Sequence, residues 1–551
     1  MTSQLPGRPN LDQLKQQAKD LLHSAREKNP SALARFSALP ALAGKTAAEL
    51  ASFPVALHDA QSVVAREYGF PSWNALRAGV EELTLSFDAA VKEFVVCATD
   101  ERPGKAQRLL AFHPEIARAN FHTALVRGDA AVAESYLAKT PALATQRGGP
   151  RDWEPMLYVC LTRLHRETPG RADGLVSIAR RLLALGANPN VTFPWRDDAE
   201  SPLSALWGAS CEARIPELAE LLLKAGANPN DGESMFHAAE HGDVPMLDLL
   251  HAHGGDANGG AHNRWGNTPL YFILGHTPDS VPANDVRTGV RWLLDHGAEP
   301  NRPCTPNGET ALHVAARNWD VPMIELLTAR GAAIRARRTD GRTPFALAAL
   351  HGNQAVAEFL RSHDGGDELT GAERFMAACT RGDRAKARAM LHAEPALAVV
   401  TSNPQAITLM TKVAARGDIA ALETMLGCGF KVDATDGMGA TALHWSALHG
   451  QLEATRLLLA HGAPVDVRDR TYNAAPLGWN DHGAINVRHP RGDYAGVARA
   501  LIAAGAPTTW DGPAPGSDEV LEAIAESRRT ASENSPGGAH SPSGPGLQGH
   551  S

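Results

Sequence analysis

Gly186-Ala187-Asn188-Pro189-Asn190 recurs as Gly226-Ala227-Asn228-Pro229-Asn230, and relatives of the phrase punctuate the chain almost to its end. Thr310-Ala311-Leu312-His313 is followed by Thr343-Pro344-Phe345, and Thr408 by Thr441-Ala442-Leu443-His444, both at a spacing of 33 (343 minus 310, 441 minus 408). Self-similarity at a fixed period is the signature of stacked units, each of which buries its apolar face against its neighbours. The chain reads as a linear array and not as one large core.

The spelling of the units has mechanical reasons. Thr343 can cap a helix with its hydroxyl while Pro344 takes the first helical position, where a missing N–H costs nothing. The pairs Ala315-Ala316 and Ala348-Ala349 are small enough for successive first helices to approach closely. In Arg416-Gly417-Asp418 the glycine suits a left-handed turn between helices, and Asp418 can cap the second helix. Leu457-Leu458-Leu459 supplies an apolar face, and Gly462-Ala463 ends that helix.

These units resemble the ankyrin repeat, in which a turn leads to two antiparallel helices and a hairpin projects toward the neighbour. The resemblance implies an all-α fold, an ankyrin-repeat solenoid of 11 to 13 units, and hydrogen bonds from His313 and His444 within the turn and to the adjacent unit. Residues 1–86 precede the repeats. There Leu14-Lys15-Gln16-Gln17-Ala18-Lys19-Asp20-Leu21-Leu22 and Ala65-Arg66-Glu67-Tyr68-Gly69-Phe70-Pro71-Ser72-Trp73 resemble a short helical module found before ankyrin repeats in bacterial proteins. Its first helix is expected to end near Asn29-Pro30, with further helices from His58 to Tyr68 and, capped by Ser72, from Trp73 to Leu83.

Residues 87–150 read as divergent repeats in which a proline phrase, as in Phe112-His113-Pro114, replaces the Gly-Ala turn. Repeats closer to the consensus span 151–364 and 373–510, with a possible hinge at 365–372. A capping helix is expected at 511–529, and the Ser-, Pro- and Gly-rich residues 530–551 read as a disordered tail. Two units are too long: Thr268 to Thr310 is 42 residues and Gly462 to Gly505 is 43, with the surplus at His276 to Asp285 and His482 to Tyr494. Trp319 stands where the inter-helix glycine belongs, so that turn should be strained or reshaped.

Composition narrows the function. Fifty-three basic and 61 acidic residues give a net charge of -8 with no long block of either sign, which disfavours nucleic acid as partner. No run of about 18 apolar residues points to a membrane. The six cysteines form no CxxC pair, which fits a reducing cytoplasm.

Several sharp motifs dissolve into the repeat. His237-Ala238-Ala239-Glu240-His241 spells H-x-x-E-H, a zinc-peptidase pattern. Yet His237 fills a turn position, the alanines fill packing positions, and Glu240-His241 precede the turn at Gly242-Asp243. Ala43-Gly44-Lys45-Thr46 lacks the first glycine of a phosphate-binding loop, since Leu39 stands there, and reads as a helix start. Of Arg127-Gly128-Asp129, Arg381-Gly382-Asp383, Arg416-Gly417-Asp418 and Arg491-Gly492-Asp493, at least three read as inter-helix turns and not as adhesion motifs. No catalytic residue, metal or cofactor is expected.

The reading is a non-catalytic scaffold, expected to be monomeric, that binds a protein through the concave surface the resemblance implies. Residues the repeat leaves free are the candidates: Arg264, Trp265, Asn267, Glu309 and Arg342 before first helices, and Arg317, Asn318, Trp319, Leu350, His351, Arg416, Leu448 and His449 at first-helix ends. Tryptophan and arginine are enriched at interface hot spots. The alternatives are an enzyme or small-molecule sensor in the N-terminal module or an inserted loop, and a bacterial effector directed at a host.

Overall fold

The computed structural model describes residues 5–6, 9–39, 42–53, 55, 57–100, 102–167, 170–195, 198–260, 266–278, 282–366, 368–508 and 517–533. The chain divides into two compact units, Glu81–Arg381 and a second comprising Met1–Val80 and Gly382–Ser551. Among the described residues, Glu81–Arg381 carries eight complete helix pairs, from Phe87–Ala98 with Pro103–Phe112 to Pro344–Leu350 with Gln354–Ser362, followed by Gly371–Thr380. Residues 382–551 carry Arg384–Ala393, three complete pairs from Pro404–Arg416 with Ile419–Gly427 onward, and the helix Asp518–Glu533. One sheet occurs among the described residues, the antiparallel pair Thr192–Trp195 and Asp198–Ser204 with Phe193 opposite Leu203. In the other fingers isolated backbone pairs, as between Gly148 and Trp153 or Thr435 and Thr441, and side chains hold the turns, as where Asn228 Oδ1 accepts from the Asn230 N–H at 3.0 Å.

The phrase that sets the period also joins neighbouring units. Asn190 donates its amide to the Gly226 carbonyl (2.9 Å) and accepts from the Asn228 N–H (2.8 Å). Asn230 does the same with Gly254 and Asp256, Asn258 with Gly297 and Glu299, and Asn301 with Gly331 and Ala333. Each of these turns would otherwise leave a helix-end carbonyl and a loop N–H without a protein partner. Close packing on the helical side is equally specific. A Cβ on Gly289 would lie 1.9 Å from the Ala239 carbonyl oxygen, so no other residue fits there.

His313 and His444 bond as the resemblance implies. His313 Nδ1 accepts from the Thr310 N–H (3.2 Å), and Nε2 lies 3.2 Å from the Arg342 carbonyl of the next unit. His444 repeats this with Thr441 and Ala474. Burial pushes both imidazoles below the usual histidine range, which keeps Nδ1 an acceptor.

The departures from the consensus are reshaped turns. Trp319 takes an extended backbone (φ -117°, ψ 173°), and Asp320 caps the following helix by accepting from the Met323 N–H. The indole is 2% exposed and donates to the Leu274 carbonyl at 3.0 Å. Asn318 donates to Leu274 and Gly275. Leu274 and Gly275 end the first helix of the preceding unit, where the surplus at His276 to Asp285 begins. Asn318 and Trp319 therefore cap a helix that the insertion cuts off from its own turn.

The other long unit differs from the expected loop. Its first helix, Pro476–His482, widens into a π-helical turn, Gly483–Val487, closed by the Arg488 N–H donating to Gly483 (2.8 Å), with Arg488 in the left-handed region. Gly208–Ala213 makes the same kind of turn and ends at Arg214, also left-handed. The stretch read as a hinge, 365–372, runs into the helix Gly371–Thr380, which Thr370 caps and which packs against Pro344–Leu350 within one compact unit. The boundary between the units falls later, at Arg381.

In residues 1–80, the first helix is Leu11–Arg26, and Asn29 caps a separate short helix, Pro30–Arg35, because its side chain accepts from Ser31 and Ala32. Thr46 caps Ala47–Ser52 in a reciprocal box with Glu49, which accounts for the Gly44-Lys45-Thr46 spelling. Leu57–Glu67 and Trp73–Thr84 complete the module. Leu14, Ala18, Leu21, Phe36, Val63, Val64 and Leu76 form its own core.

Candidate protein-binding surface

First helices and the finger turns before them leave side chains that packing does not consume. In Glu81–Arg381 most of the candidate residues are already engaged. Glu309 is buried and accepts from Tyr271 Oη (3.0 Å), Arg338 Nη1 (3.2 Å) and Arg317. Burial, reinforced by that carboxylate, pushes the Tyr271 phenol up to about 12. Arg342 reaches Glu373 at 2.7 Å. Leu350 is fully buried, as is Trp319, so both leave the candidate surface. Arg317, Asn318, Arg342, His351 and Asn267 are half-buried. Arg264 and Trp265 lie outside the described residues.

Residues 404–503 present a different surface. Arg416 is exposed, and Leu448 and His449 are half-buried, with the His449 ring 6.2 Å from that of His489. Two aromatic residues that sequence reasoning passed over join them. Tyr472, at a finger tip, is 70% exposed, and Trp445, on the first helix, is half-buried. Both rings neighbour Trp479, at 6.4 and 5.2 Å. The finger is held from below. Asp469 accepts from the N–H groups of Thr471 (2.8 Å), Tyr472 (2.7 Å) and Ala474 (3.1 Å) and from the Trp479 indole (2.9 Å). The Arg470 N–H bonds to Met438 of the preceding finger at 2.7 Å. A signal existed in the sequence: aligned on Thr441, Trp445 occupies a variable first-helix position, and Tyr472 stands in a turn of a chain with only 5% aromatics.

The apparent zinc motif is an ion-pair cluster. His237 lies 2.8 Å from Glu240 through Nδ1 and 3.2 Å from Glu233 through Nε2, and His276 reaches Glu240 at 3.2 Å. Among the described residues no group of three or more His, Cys, Asp or Glu is placed to hold a metal ion. The adhesion-like tripeptides are turns in which Asp129, Asp383, Asp418 and Asp493 each cap a second helix. Gly128, Gly382 and Gly417 adopt positive φ, whereas Gly492 does not. No helix among the described residues is long and apolar enough to cross a membrane.

The family model for ankyrin repeats matches residues 280–370 and 375–475. Cyclin-dependent kinase inhibitor 2A of Monodelphis domestica is 31% identical over 130 residues, covering 70% of that protein and 24% of this chain. This chain is an ankyrin-repeat protein. The chain is also 32% identical over 217 residues to the nuclear factor NF-kappa-B p105 subunit of Gallus gallus, covering 38% of this chain and 20% of that one. SH3 and multiple ankyrin repeat domains protein 2 of Homo sapiens is 29% identical over 190 residues, covering 34% and 10%. The chain thus spans a fifth or less of the length of these two relatives. Among solved structures, the human ASB11 ankyrin repeat domain is matched over 46% of this chain and 100% of that one, at 21% identity and a TM-score of 0.33. These relatives are vertebrate proteins, and the family match begins at residue 280, so neither the bacterial origin nor the N-terminal module expected from sequence is shown by them.

Proposed function

We propose that the ankyrin repeats of this chain form a non-catalytic scaffold that takes a protein partner against first helices and finger turns. The observation that carries the reading is Tyr472, a large aromatic side chain held out on a turn whose backbone Asp469 fixes. Presenting an aromatic anchor on a rigid support reduces the ordering cost of association, which is where affinity is commonly lost. Trp445 and Arg416 extend the same surface. Burial pushes the thiols of Cys97, Cys160 and Cys211 upward, away from the thiolate a cysteine nucleophile needs, which disfavours these three in that role.

Affinity capture from native extract tests the proposal. Tyr472→Ala should melt at the temperature of the parent chain and retain its partner about 30-fold more weakly, the effect of losing a hot spot of about 2 kcal/mol. An unchanged set of retained proteins, or a large fall in melting temperature, overturns it.

A further inference from the structure

Within Glu81–Arg381 a cavity of about 420 Å³ opens where three irregular segments meet: the finger at 148–153, the strand pair, and the π-helical turn after Trp207. Its volume lies at the small end of the range for ligand-seating pockets, roughly 300–1,000 Å³. That is room for an anchor of one or two residues, not for a long peptide.

Trp153, Phe193 and Trp207 supply the apolar lining, with the Phe193 ring 4.8 Å from Trp153 and 6.4 Å from Trp207. Three guanidiniums line the same cavity, Arg102, Arg151 and Arg163, against two carboxylates, Asp100 and Glu212. Glu212 pairs with Arg163. Asp100 is divided: it lies 2.6 Å from Arg102 and 3.5 Å from Arg151. The remaining partners of Arg151 are neutral, Thr99 Oγ1 at 2.9 Å and the Val96 carbonyl at 3.0 Å, and its guanidinium sits 4.8 Å from the centre of the Trp153 ring. Glu93, just outside, bonds Lys105 at 2.7 Å as well as Arg102 at 3.3 Å, so among the described residues including both leaves the positive excess in place. Burial disfavours the charged form of Arg151. A half-buried guanidinium short of a carboxylate, beside an aromatic wall, is complementary to an apolar group carrying an anion.

We propose that this cavity seats an anchor of the protein partner: an aromatic or branched apolar side chain whose neighbouring residue, or own chain terminus, brings a carboxylate to Arg151. The inference rests on the scaffold reading above and names the chemistry of one contact.

Selection of phage-displayed random heptapeptides on the immobilised full-length chain tests it, alongside Arg151→Met, Arg102→Glu and Tyr472→Ala. Enriched peptides should share an apolar residue next to Asp, Glu or the C-terminus. They should bind Arg151→Met about ten- to a hundred-fold more weakly, the loss of a hydrogen bond to a charged group. Arg102→Glu, a charge reversal at the half-exposed rim, should weaken them in the same direction. Enriched peptides lacking the acid, or bound by both arginine variants as tightly as by the parent chain, overturn the proposal. So does binding of free phenylacetate or indole-3-acetate with no peptide selected. Peptides lost on Tyr472→Ala and indifferent to Arg151→Met overturn the cavity and leave the scaffold standing. Failure of the Tyr472 capture experiment overturns the scaffold by itself.

Discussion

At the scale of single residues, the side chains that look most chemical are those doing the tightest structural work. His237 is the strongest case. Its two nitrogens face two carboxylates, Glu240 at 2.8 Å and the buried Glu233 at 3.2 Å, so only the imidazolium satisfies both. Burial pulls its pKa down, but the hydrogen bonds and charges of Glu233 and Glu240 outweigh it and push the group up to about 9. Around the pair stand His276, which also faces Glu240, and the rings of Trp207 and Phe272. A histidine whose folded pKa lies above the unfolded value of about 6.5 contributes its full stability below that value and loses it as pH rises through the folded pKa. The expected outcome is a free energy of unfolding, read from urea denaturation, that falls between pH 6.5 and 9 by an amount on the order of 2–3 kcal/mol, with the midpoint moving down accordingly. His237→Gln should remove most of that slope, and a midpoint with the same slope in both proteins would show that the cluster is not linked to folding.

At the scale of elements, the unit boundary is what the sequence states best and explains least. The repeated Gly-Ala-Asn-Pro-Asn marks where each second helix stops, and the caps of Thr343, Asp418 and Ser72 are legible because one side chain meets one backbone N–H nearby. The second role of the final asparagine is not legible, since its partners lie 24 to 41 residues on, in the next turn. For the same reason Glu309, Leu350 and Trp319 read as free surface: the residues that bury them belong to neighbouring units, and the period says nothing of depth. Trp445 and Tyr472 were missed because the repeat leaves them unassigned, which is also what makes them available. The asparagine ladder gives a direct expectation. Asn230→Ala removes two inter-unit hydrogen bonds, each typically worth about 0.5–1.5 kcal/mol, so stability should fall by about 1–3 kcal/mol. Asn188→Ala should cost less, because Asn188 accepts only within its own turn, from the Asn190 N–H. Equal losses in chemical denaturation would argue against the ladder as a coupling device.

At the scale of the whole molecule, a repeat array holds together through nearest neighbours, so damage should stay local. Trp319 tests this because it does two jobs at one boundary: it fills the interior and caps the helix Pro269–Gly275 through Leu274. Replacing it with alanine opens a cavity and leaves a buried carbonyl without that donor, a loss of about 3–5 kcal/mol. If coupling passes only between adjacent units, amide hydrogen exchange should accelerate most in Pro269–Gly275 and Ala311–Asn318, and less in Ser234–Glu240 and Pro344–Leu350. It should stay at the parent rate in Ala442–Leu448 and in the Asp469 turn, which belong to the other compact unit. Tyr472-dependent capture of a partner should then survive Trp319→Ala, although the total stability has dropped. Exchange that accelerates uniformly along the chain would instead mean that the two compact units unfold as one, and the partner surface would be lost with the same substitution.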